Sequence, residues 1–253
     1  MARRRRTRRW RHRRGLGILY KLLSVIVISA AIVAALIMFF KVDKITVSGV
    51  TQYSSEEIIE ASGVKVGDNL FLLNKYEIYD AIIAKLPYVS SVSINRKLPD
   101  GLVIEVMDSN QGGVIQCDGA YWVVSAQGKL LGKRAEAGKG AVISGITIEE
   151  PAVGEKMHPA EGSERRVEQL LELFEALEEK GMLQGVSRLD FTEDSVISMD
   201  YADAYAVKFP YGADFTYKLS QLSVVMEKLS EQGDIRTGTI DLMHEGRVNF
   251  IPD

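Results

Sequence analysis

The chain has 253 residues, of which 46% are hydrophobic and 26% are charged, and its formal net charge is −3. This small net charge hides a segregation, because residues 42–253 hold all 34 acidic residues but only 20 of the 31 basic ones, which gives them a net charge of −14. Such a charge argues against nucleic acid or anionic lipid as the partner of residues 42–253, and a single cysteine, Cys117, excludes a disulfide within the chain.

The first forty residues have the pattern of a membrane anchor. Nine arginines lie in residues 1–14, and an uncharged run of 19 residues follows at 22–40. At about 1.5 Å per residue, that run forms a helix of about 28 Å, enough to cross the hydrocarbon core of a bilayer. We predict a cytoplasmic Arg-rich tail at residues 1–15 and a transmembrane helix at 16–40. Because arginine-rich flanks stay inside, the pattern predicts a single-pass type II protein whose later domains are extracytoplasmic.

Three other interpretations of this N-terminal region are a cleaved signal peptide, a twin-arginine export signal and a lipid-binding tail. A cleaved signal peptide would have a shorter apolar core, whereas here the apolar run continues past the small residues Ser29 and Ala31 to Phe40. The pair Arg8-Arg9 resembles a twin-arginine export signal only weakly, since no apolar stretch follows it directly. The tail could also bind anionic lipid of the inner leaflet, at about 1 kcal/mol per basic residue, although a topology signal without a specific partner explains it as well.

Residues 42–108 predict a small domain with the order strand, helix, helix, strand, strand. Apolar and polar residues alternate at 42–50, and Ser54 with Glu57 has the form of a capping box for a short helix that Gly63 ends. A second helix runs from Asn74 to Pro87, and alternating strands at 89–98 and 102–107 flank a turn. In this prediction Val92, Ile94 and Leu98 share the inward face. A three-stranded sheet covered by the two helices would bury the apolar faces.

Residues 114–253 predict a larger domain with short strands and two amphipathic helices. The helices lie at 164–180 and 215–231, and each has an apolar stripe at helical spacing. Strands are predicted at 114–117, 121–125, 129–131, 141–145, 186–191, 196–200 and 205–209, followed by a final hairpin at 237–243 and 247–251. Residues 109–113, with two glycines, read as a connection that permits motion between the two domains.

Four short motifs of the first domain resemble the successive motifs of a POTRA domain. They are Ile45-Thr46-Val47-Ser48-Gly49, Gly67-Asp68-Asn69-Leu70-Phe71, Leu86-Pro87-Tyr88-Val89 and Arg96-Lys97-Leu98-Pro99-Asp100. Their position directly after one basic-flanked span is similar to that in the FtsQ/DivIB family of bacterial cell-division proteins. The expected fold is therefore α+β: a single N-terminal transmembrane helix, a POTRA-like βααββ domain, and a larger mixed β-rich domain with two covering helices.

The search for catalytic chemistry predicts no catalytic, cofactor-binding or metal-binding residues. His158 and His244 are isolated, and the chain has neither a His-x-x-x-His pair nor a Gly-x-Ser-x-Gly elbow. Gly138-Lys139-Gly140 lacks the following Ser or Thr of a phosphate loop. The glutamate pairs 56/57, 149/150 and 178/179 are sequence neighbours whose side chains diverge, which is typical of solvated charge. We therefore expect no small-molecule substrate and no cofactor.

The resemblance implies where a partner would bind. In proteins of this family the last strands take up the outer segment of a bitopic FtsB/DivIC-like partner, accompanied by an FtsL-like one. The partner-binding residues expected here are Thr239, Ile240, Asp241, Leu242, Met243, His244, Gly246, Val248 and Phe250. Met243 and His244 depart from the family pattern, where arginine and an aromatic are usual. An ordinary edge strand with Leu242 and Val248 in the core is the alternative, and Tyr211 with Phe250 could add an aromatic anchor.

The leading hypothesis is a non-enzymatic membrane scaffold of the bacterial divisome, which binds FtsL-like and FtsB/DivIC-like proteins and helps coordinate septal peptidoglycan synthesis. Other divisome members are further candidate partners. The first alternative is a POTRA-type chaperone module in polypeptide transport or outer-membrane assembly. The second is a membrane-anchored hydrolase with an unrecognised site, which would require a deep pocket with converging side chains.

Overall fold

The computed structural model describes residues 12–231 and 237–252, with side chains from residue 19 onward. Residues 1–11, which hold most of the predicted Arg-rich tail, lie outside these ranges. The first elements in chain order are α1 (His12–Phe39), β1 (Lys44–Val50), α2 (Ser55–Ser62), α3 (Lys75–Lys85), β2 (Val89–Lys97) and β3 (Gly101–Asp108). They confirm the predicted order of one long helix followed by a βααββ arrangement.

Helix α1 is long and apolar enough to cross a membrane. It begins four residues before the predicted transmembrane helix, and its apolar part, Leu19–Phe39, has a mean hydropathy of 2.9. None of that segment is buried by the rest of the protein. Its 21 residues correspond to about 31 Å of helix, which matches the hydrocarbon thickness of a bilayer.

The helices of the βααββ arrangement are specified by local signals. The Ser54 hydroxyl accepts a hydrogen bond from Glu57 N (3.2 Å), and Glu57 Oε2 accepts one from Ser54 N (2.8 Å), which completes the predicted capping box. That backbone hydrogen bond from Ser54 lowers the pKa of Glu57. Gly63 ends α2 with φ of 70°, a conformation that glycine adopts without strain.

The three strands form one sheet in the order β1-β3-β2, and two details of its predicted apolar face are wrong. Leu98 was expected to share the inward face with Val92 and Ile94, but β2 ends at Lys97 and Leu98 is 55% exposed in the following turn. Val50 was counted with Val42, Ile45 and Val47 among the apolar positions of the alternating run at 42–50, but it is 81% exposed. Strand alternation puts residue 50 on the face opposite to Ile45 and Val47, which are half-buried.

The rest of the chain forms a large mixed sheet with two long helices. Its elements are β4 (Gln111–Cys117), β5 (Ala120–Ser125), β6 (Leu130–Arg134), β7 (Ala141–Ser144), β8 (Ile148–Glu149), β9 (His158–Pro159), α4 (Glu164–Glu179), β10 (Val186–Asp190), β11 (Val196–Tyr201), β12 (Tyr205–Pro210), α5 (Phe215–Glu231), β13 (Gly238–Asp241) and β14 (Asn249–Pro252). A short 3-10 helix, Leu183–Gly185, precedes β10. Nine strands make one sheet in the order β14-β13-β12-β11-β10-β7-β4-β5-β6, and β8 pairs with β9 separately.

The sheet contains both parallel and antiparallel pairs. Strand β7 is parallel to β4 and to β10, and β12 is parallel to β13. Parallel neighbours cannot be joined by a tight turn, so the chain crosses over between them, through β5 and β6 from β4 to β7 and through a helix in the other two cases. Helix α4 lies in the connection from β7 to β10, and α5 lies in the connection from β12 to β13.

The two helices pack against each other and supply the main core over one face of this sheet. Phe174 of α4 and Leu219 and Leu222 of α5 have no solvent exposure. They pack in one cluster with buried side chains of β10, β11, β12 and β13. Val225 and Met226 of α5 contact the edge of that cluster, as their positions on the predicted apolar stripe require.

Strand β4 begins three residues earlier than predicted and includes the two glycines of the predicted connection. A Cβ atom at Gly112 would lie 2.6 Å from the ring of Phe174, and one at Gly113 would lie 2.5 Å from Ala141 O. These glycines therefore allow close packing inside the sheet. Only Ser109 and Asn110 separate β3 from β4.

Gly145, directly after β7, is a position where the backbone leaves no room for a side chain. Its φ is +81°, and a Cβ there would lie 2.4 Å from the backbone of Phe191 and Thr192. Gly154 has a similar φ of +91° but open space around it. We expect Gly154→Ala to cost about 1 kcal/mol through backbone strain alone, and Gly145→Ala to cost about 3 kcal/mol because backbone atoms must also move. Thermal unfolding of the two full-length variants tests this; equal losses would contradict it.

Asp190, at the end of β10, should make stability depend on pH. A hydrogen bond from the Thr192 side chain is the main cause that lowers the pKa of the Asp190 carboxyl from the ordinary 3.8, and hydrogen bonds from Thr192 N (2.9 Å) and Arg188 (2.7 Å) lower it further. Because the folded-state pKa is the lower one, the stabilisation is complete above pH 3.8 and is lost as pH falls through the folded pKa. We expect Asp190→Asn to lower the melting temperature at pH 7 and to lower it less at pH 3. Glu193→Gln, at an exposed neighbouring position, is the control. Its effect on the melting temperature should not become smaller between pH 7 and pH 3.

Candidate partner-binding edge of the large sheet

The predicted partner-binding residues lie at one end of the nine-stranded sheet. Strand β13 runs parallel to β12, and β14 runs antiparallel to β13 in the register Thr239 to Ile251 and Ile240 to Phe250. Among the described strands, β14 has β13 as its only neighbour. Its outer side therefore presents backbone N–H and C=O groups that another extended chain could pair with.

Two of the predicted contact residues belong to the core instead. Ile240 and Leu242 have no solvent exposure and pack in the main core cluster. Leu242 N also donates a hydrogen bond to Lys208 O (3.0 Å), which extends the pairing with β12 past the end of β13. Because residues 240 and 242 alternate onto the helix-covered face, a partner at the edge cannot reach their side chains. Ile240 and Leu242 therefore support the edge from the core, and partner contact at the other residues stays a prediction.

Phe250 is half-buried and helps to close the same core. As the cross-strand neighbour of Ile240 it faces the helices, and its ring meets that of Tyr205 edge-on at 6.4 Å. A Cβ at Gly238 would lie 2.8 Å from the Phe250 ring, so this glycine makes room for the aromatic side chain. Tyr211, the other suggested aromatic anchor, lies beyond the opposite end of β12 and packs on Phe191.

The remaining predicted residues are accessible. Thr239, Asp241, Met243 and Val248 are half-buried, and His244 and Gly246 are exposed. The outward face of β14 adds two residues that the prediction missed, Asn249 and Ile251, and Ile251 is 57% exposed. Side chains alternate between the two faces of a strand, so the inward position of Phe250 would have predicted that Asn249 and Ile251 face outward. The accessible part of the candidate site thus consists of outward side chains and the free backbone of β14.

A buried lysine holds the loop between the two strands, and sequence reasoning missed it. Lys218 of α5 is only 4% exposed, and its Nζ donates hydrogen bonds to Leu242 O (2.7 Å) and His244 O (2.8 Å). Asp241 Oδ1 accepts a further bond from Met243 N (2.8 Å). The sequence signal for burial of Lys218 was its position on the apolar stripe of α5, three residues after Phe215 and four before Leu222.

Three features of the described residues bear on whether the protein could hold catalytic groups. The described residues include no cluster of three or more His, Cys, Asp or Glu that could hold a metal ion. Burial raises the pKa of the Cys117 thiol, which donates to Ile148 O at 3.5 Å. A polar cleft of about 630 Å³ lies beside α4 and the start of α5. In it Gln169 bonds Glu172 and Gly212 N, and Asp214 accepts from Tyr217 N at the start of α5.

These features define a class of protein: a membrane-spanning helix followed by a POTRA domain and a mixed-sheet domain with an open edge. The family model for the POTRA domain, FtsQ-type, matches residues 40–107. Cell division protein FtsQ of Geotalea daltonii is 30% identical over 206 residues, which cover 77% of this chain and 70% of that protein. Cell division protein DivIB of Clostridium botulinum strain Loch Maree is 26% identical, with 85% and 82% covered.

FtsQ of Syntrophotalea carbinolica is 29% identical over 212 residues, with 80% of this chain and 70% of that protein covered. The similarity therefore includes the large sheet as well as the POTRA domain. The chain belongs to the FtsQ/DivIB family of bacterial cell-division proteins. Family membership supports a role in the divisome and a membrane-anchored, bitopic arrangement.

Lys218→Met tests whether the buried ammonium holds the loop of residues 242–248. The variant keeps most of the side-chain volume but leaves two carbonyl oxygens without their donor, so we expect a loss of about 2 kcal/mol in the free energy of unfolding. Hydrogen exchange in residues 242–248 should also become faster. Lys228→Met, at an exposed position on the same helix, is the matched control and should change neither quantity. Unchanged exchange in Lys218→Met would contradict this role.

Proposed function

We propose that this protein is a non-enzymatic scaffold of the divisome that takes up the outer segments of FtsL-like and FtsB/DivIC-like bitopic proteins at the open edge of its large sheet. The observation that carries the proposal is that β14 is the last strand of the sheet among the described residues and that Ile251 of this strand is exposed. The membership in a family of cell-division proteins supports the choice of partners. Through this contact the protein would help coordinate septal peptidoglycan synthesis from the outer side of the membrane, with its N-terminus in the cytoplasm.

The proposed contact is strand addition. A partner segment in extended conformation would pair its backbone with the outer side of β14, as edge strands allow. Ile251 lies on the outward face of β14, so its side chain would contact the partner residue directly opposite to it in the added strand pair. The core residues Ile240 and Leu242 would support the strand without contacting the partner.

The distinction between outward and core residues decides how the proposal is tested. Leu242→Glu would place a charge in the core and unfold the domain, so its loss of binding would not report on a contact. Ile251→Glu alters an exposed side chain on the outward face of β14. Val224→Glu is a matched control, since Val224 is 49% exposed on α5.

The test is a calorimetric titration of the full-length protein in lipid nanodiscs with the outer segments of co-resident FtsL-like and FtsB/DivIC-like proteins. We expect saturable binding that Ile251→Glu weakens by about tenfold or more, because the loss of a central apolar contact costs over about 1.4 kcal/mol. Val224→Glu should bind like the unaltered protein. Hydrogen exchange should slow in β14 on binding. No binding by the unaltered protein, or equal losses in both variants, would contradict the proposed edge contact.

A further inference from the structure

The end of the membrane-spanning helix is fixed to a loop of the POTRA domain, residues 67–74. Asn69 Nδ2 donates a hydrogen bond to Ile37 O (2.8 Å) in the last turn of α1, and Leu70 N donates to Phe40 O (2.9 Å). The rings of Phe40 and Phe71 meet edge-on at 5.0 Å. Helix ends leave carbonyl groups without internal partners, so the Asn69 amide acts as a cap that holds this loop beside the end of the span.

The turn of residues 98–100 also lies beside the end of the membrane-spanning helix. Asp43 N and Lys44 N both donate to Asp100 O (2.8 and 3.3 Å), which brings the turn of residues 98–100 next to the first residues after the span. Arg96 connects this turn to the loop, because its guanidinium donates to Leu73 O (2.9 Å) and lies 6.0 Å from the centre of the Phe71 ring. The loop and the turn are therefore neighbours.

Both segments expose large apolar side chains beside the membrane helix. Phe39 is 69% exposed, Phe71 50%, Leu72 70% and Leu98 55%. We call these four residues the span-end surface. Isolated exposed apolar residues are common, but a group of them at one place indicates an interaction surface. An apolar hollow of about 510 Å³, lined by residues 32–40 of the span including Phe39 and Phe40, adjoins it.

The position of the span-end surface identifies its partner. The apolar segment Leu19–Phe39 is about 31 Å long and fills the hydrocarbon core, so Phe39 lies at its boundary. A surface tied to Phe40 by hydrogen bonds and ring contact lies at the depth of the lipid headgroups, where aromatic residues are enriched. Lys41, Lys44 and Lys97 are exposed nearby and can reach lipid phosphates.

We propose that the span-end surface inserts into the headgroup region of the bilayer, so that the loop of residues 67–74 and the turn of residues 98–100 form a second, interfacial anchor for the POTRA domain. Because residues 42–253 carry a net charge of −14, general electrostatic attraction to anionic lipid does not drive this contact. Burial of the apolar side chains drives it. The proposal uses the membrane anchor and is independent of the partner edge.

The test uses the full-length protein in vesicles of phosphatidylethanolamine and phosphatidylglycerol. Cys117→Ser provides the background, and Leu72→Cys or Leu98→Cys introduces a single site for an environment-sensitive fluorophore. Ser48→Cys is the control, because Ser48 is exposed and lies four residues along β1 from Lys44, about 13 Å further along that strand. We expect a blue shift at positions 72 and 98, and stronger quenching by a nitroxide near the lipid headgroup than by one at the chain end. The label at Ser48 should show neither effect.

Two results would overturn the proposal. Labels at positions 72 and 98 that iodide in the water quenches as strongly as the label at Ser48 would show that the surface does not contact lipid. Shielding that appears only when another cell-division protein is added to the vesicles would make this a protein-docking surface instead. Because no partner is present in the first measurement, its failure is distinguishable from failure of the proposed edge contact.

Discussion

The parallel pairing of β12 with β13 is the constraint on which the candidate site depends. Parallel strands cannot be joined by a short turn, so the chain must cross over, and α5 lies in that crossover. Helix α5 can bury its apolar stripe only by packing on the sheet face that it crosses. Its residues Leu219 and Leu222 therefore share a core cluster with Val207 and Ile240 of the two strands it connects. The last hairpin is consequently held at the end of the sheet by its own crossover helix.

The same arrangement separates the structural residues of the hairpin from the accessible ones. Ile240, Leu242 and Phe250 face α5, whereas Thr239 and Ile251 face outward. Lys218 extends the helix contact beyond the strands, since its ammonium group binds carbonyl groups of the loop. An edge that is supported in this way can accept an extended partner without rearranging its core, because the backbone groups that pair are already in strand geometry.

Local signals in the sequence predicted the helices and their ends well, whereas pairing between distant strands could not be predicted. The Ser54 and Glu57 capping box depends on four consecutive residues, and it forms as expected. Gly112 and Gly113 read as a flexible connection because nothing local reveals Phe174 and Ala141, which lie against them in the folded chain. The sequence showed the alternation of side chains around residue 240, but it did not show which face of the strand is buried, because that depends on where α5 packs. For the same reason Leu242 looked like a contact residue although it lies in the core.

Membrane anchoring explains how a short edge strand could suffice for the proposed function. Strand β14 has four residues, and a contact of that size between free molecules would be weak because association costs translational and rotational freedom. Partners that are themselves anchored in the same membrane have already lost much of that freedom, so the contact forms at a high effective concentration. Interfacial insertion of the span-end surface would reduce the remaining orientational freedom of the POTRA domain relative to the bilayer. A modest edge contact can then be both specific and reversible, as assembly and disassembly at a division site require.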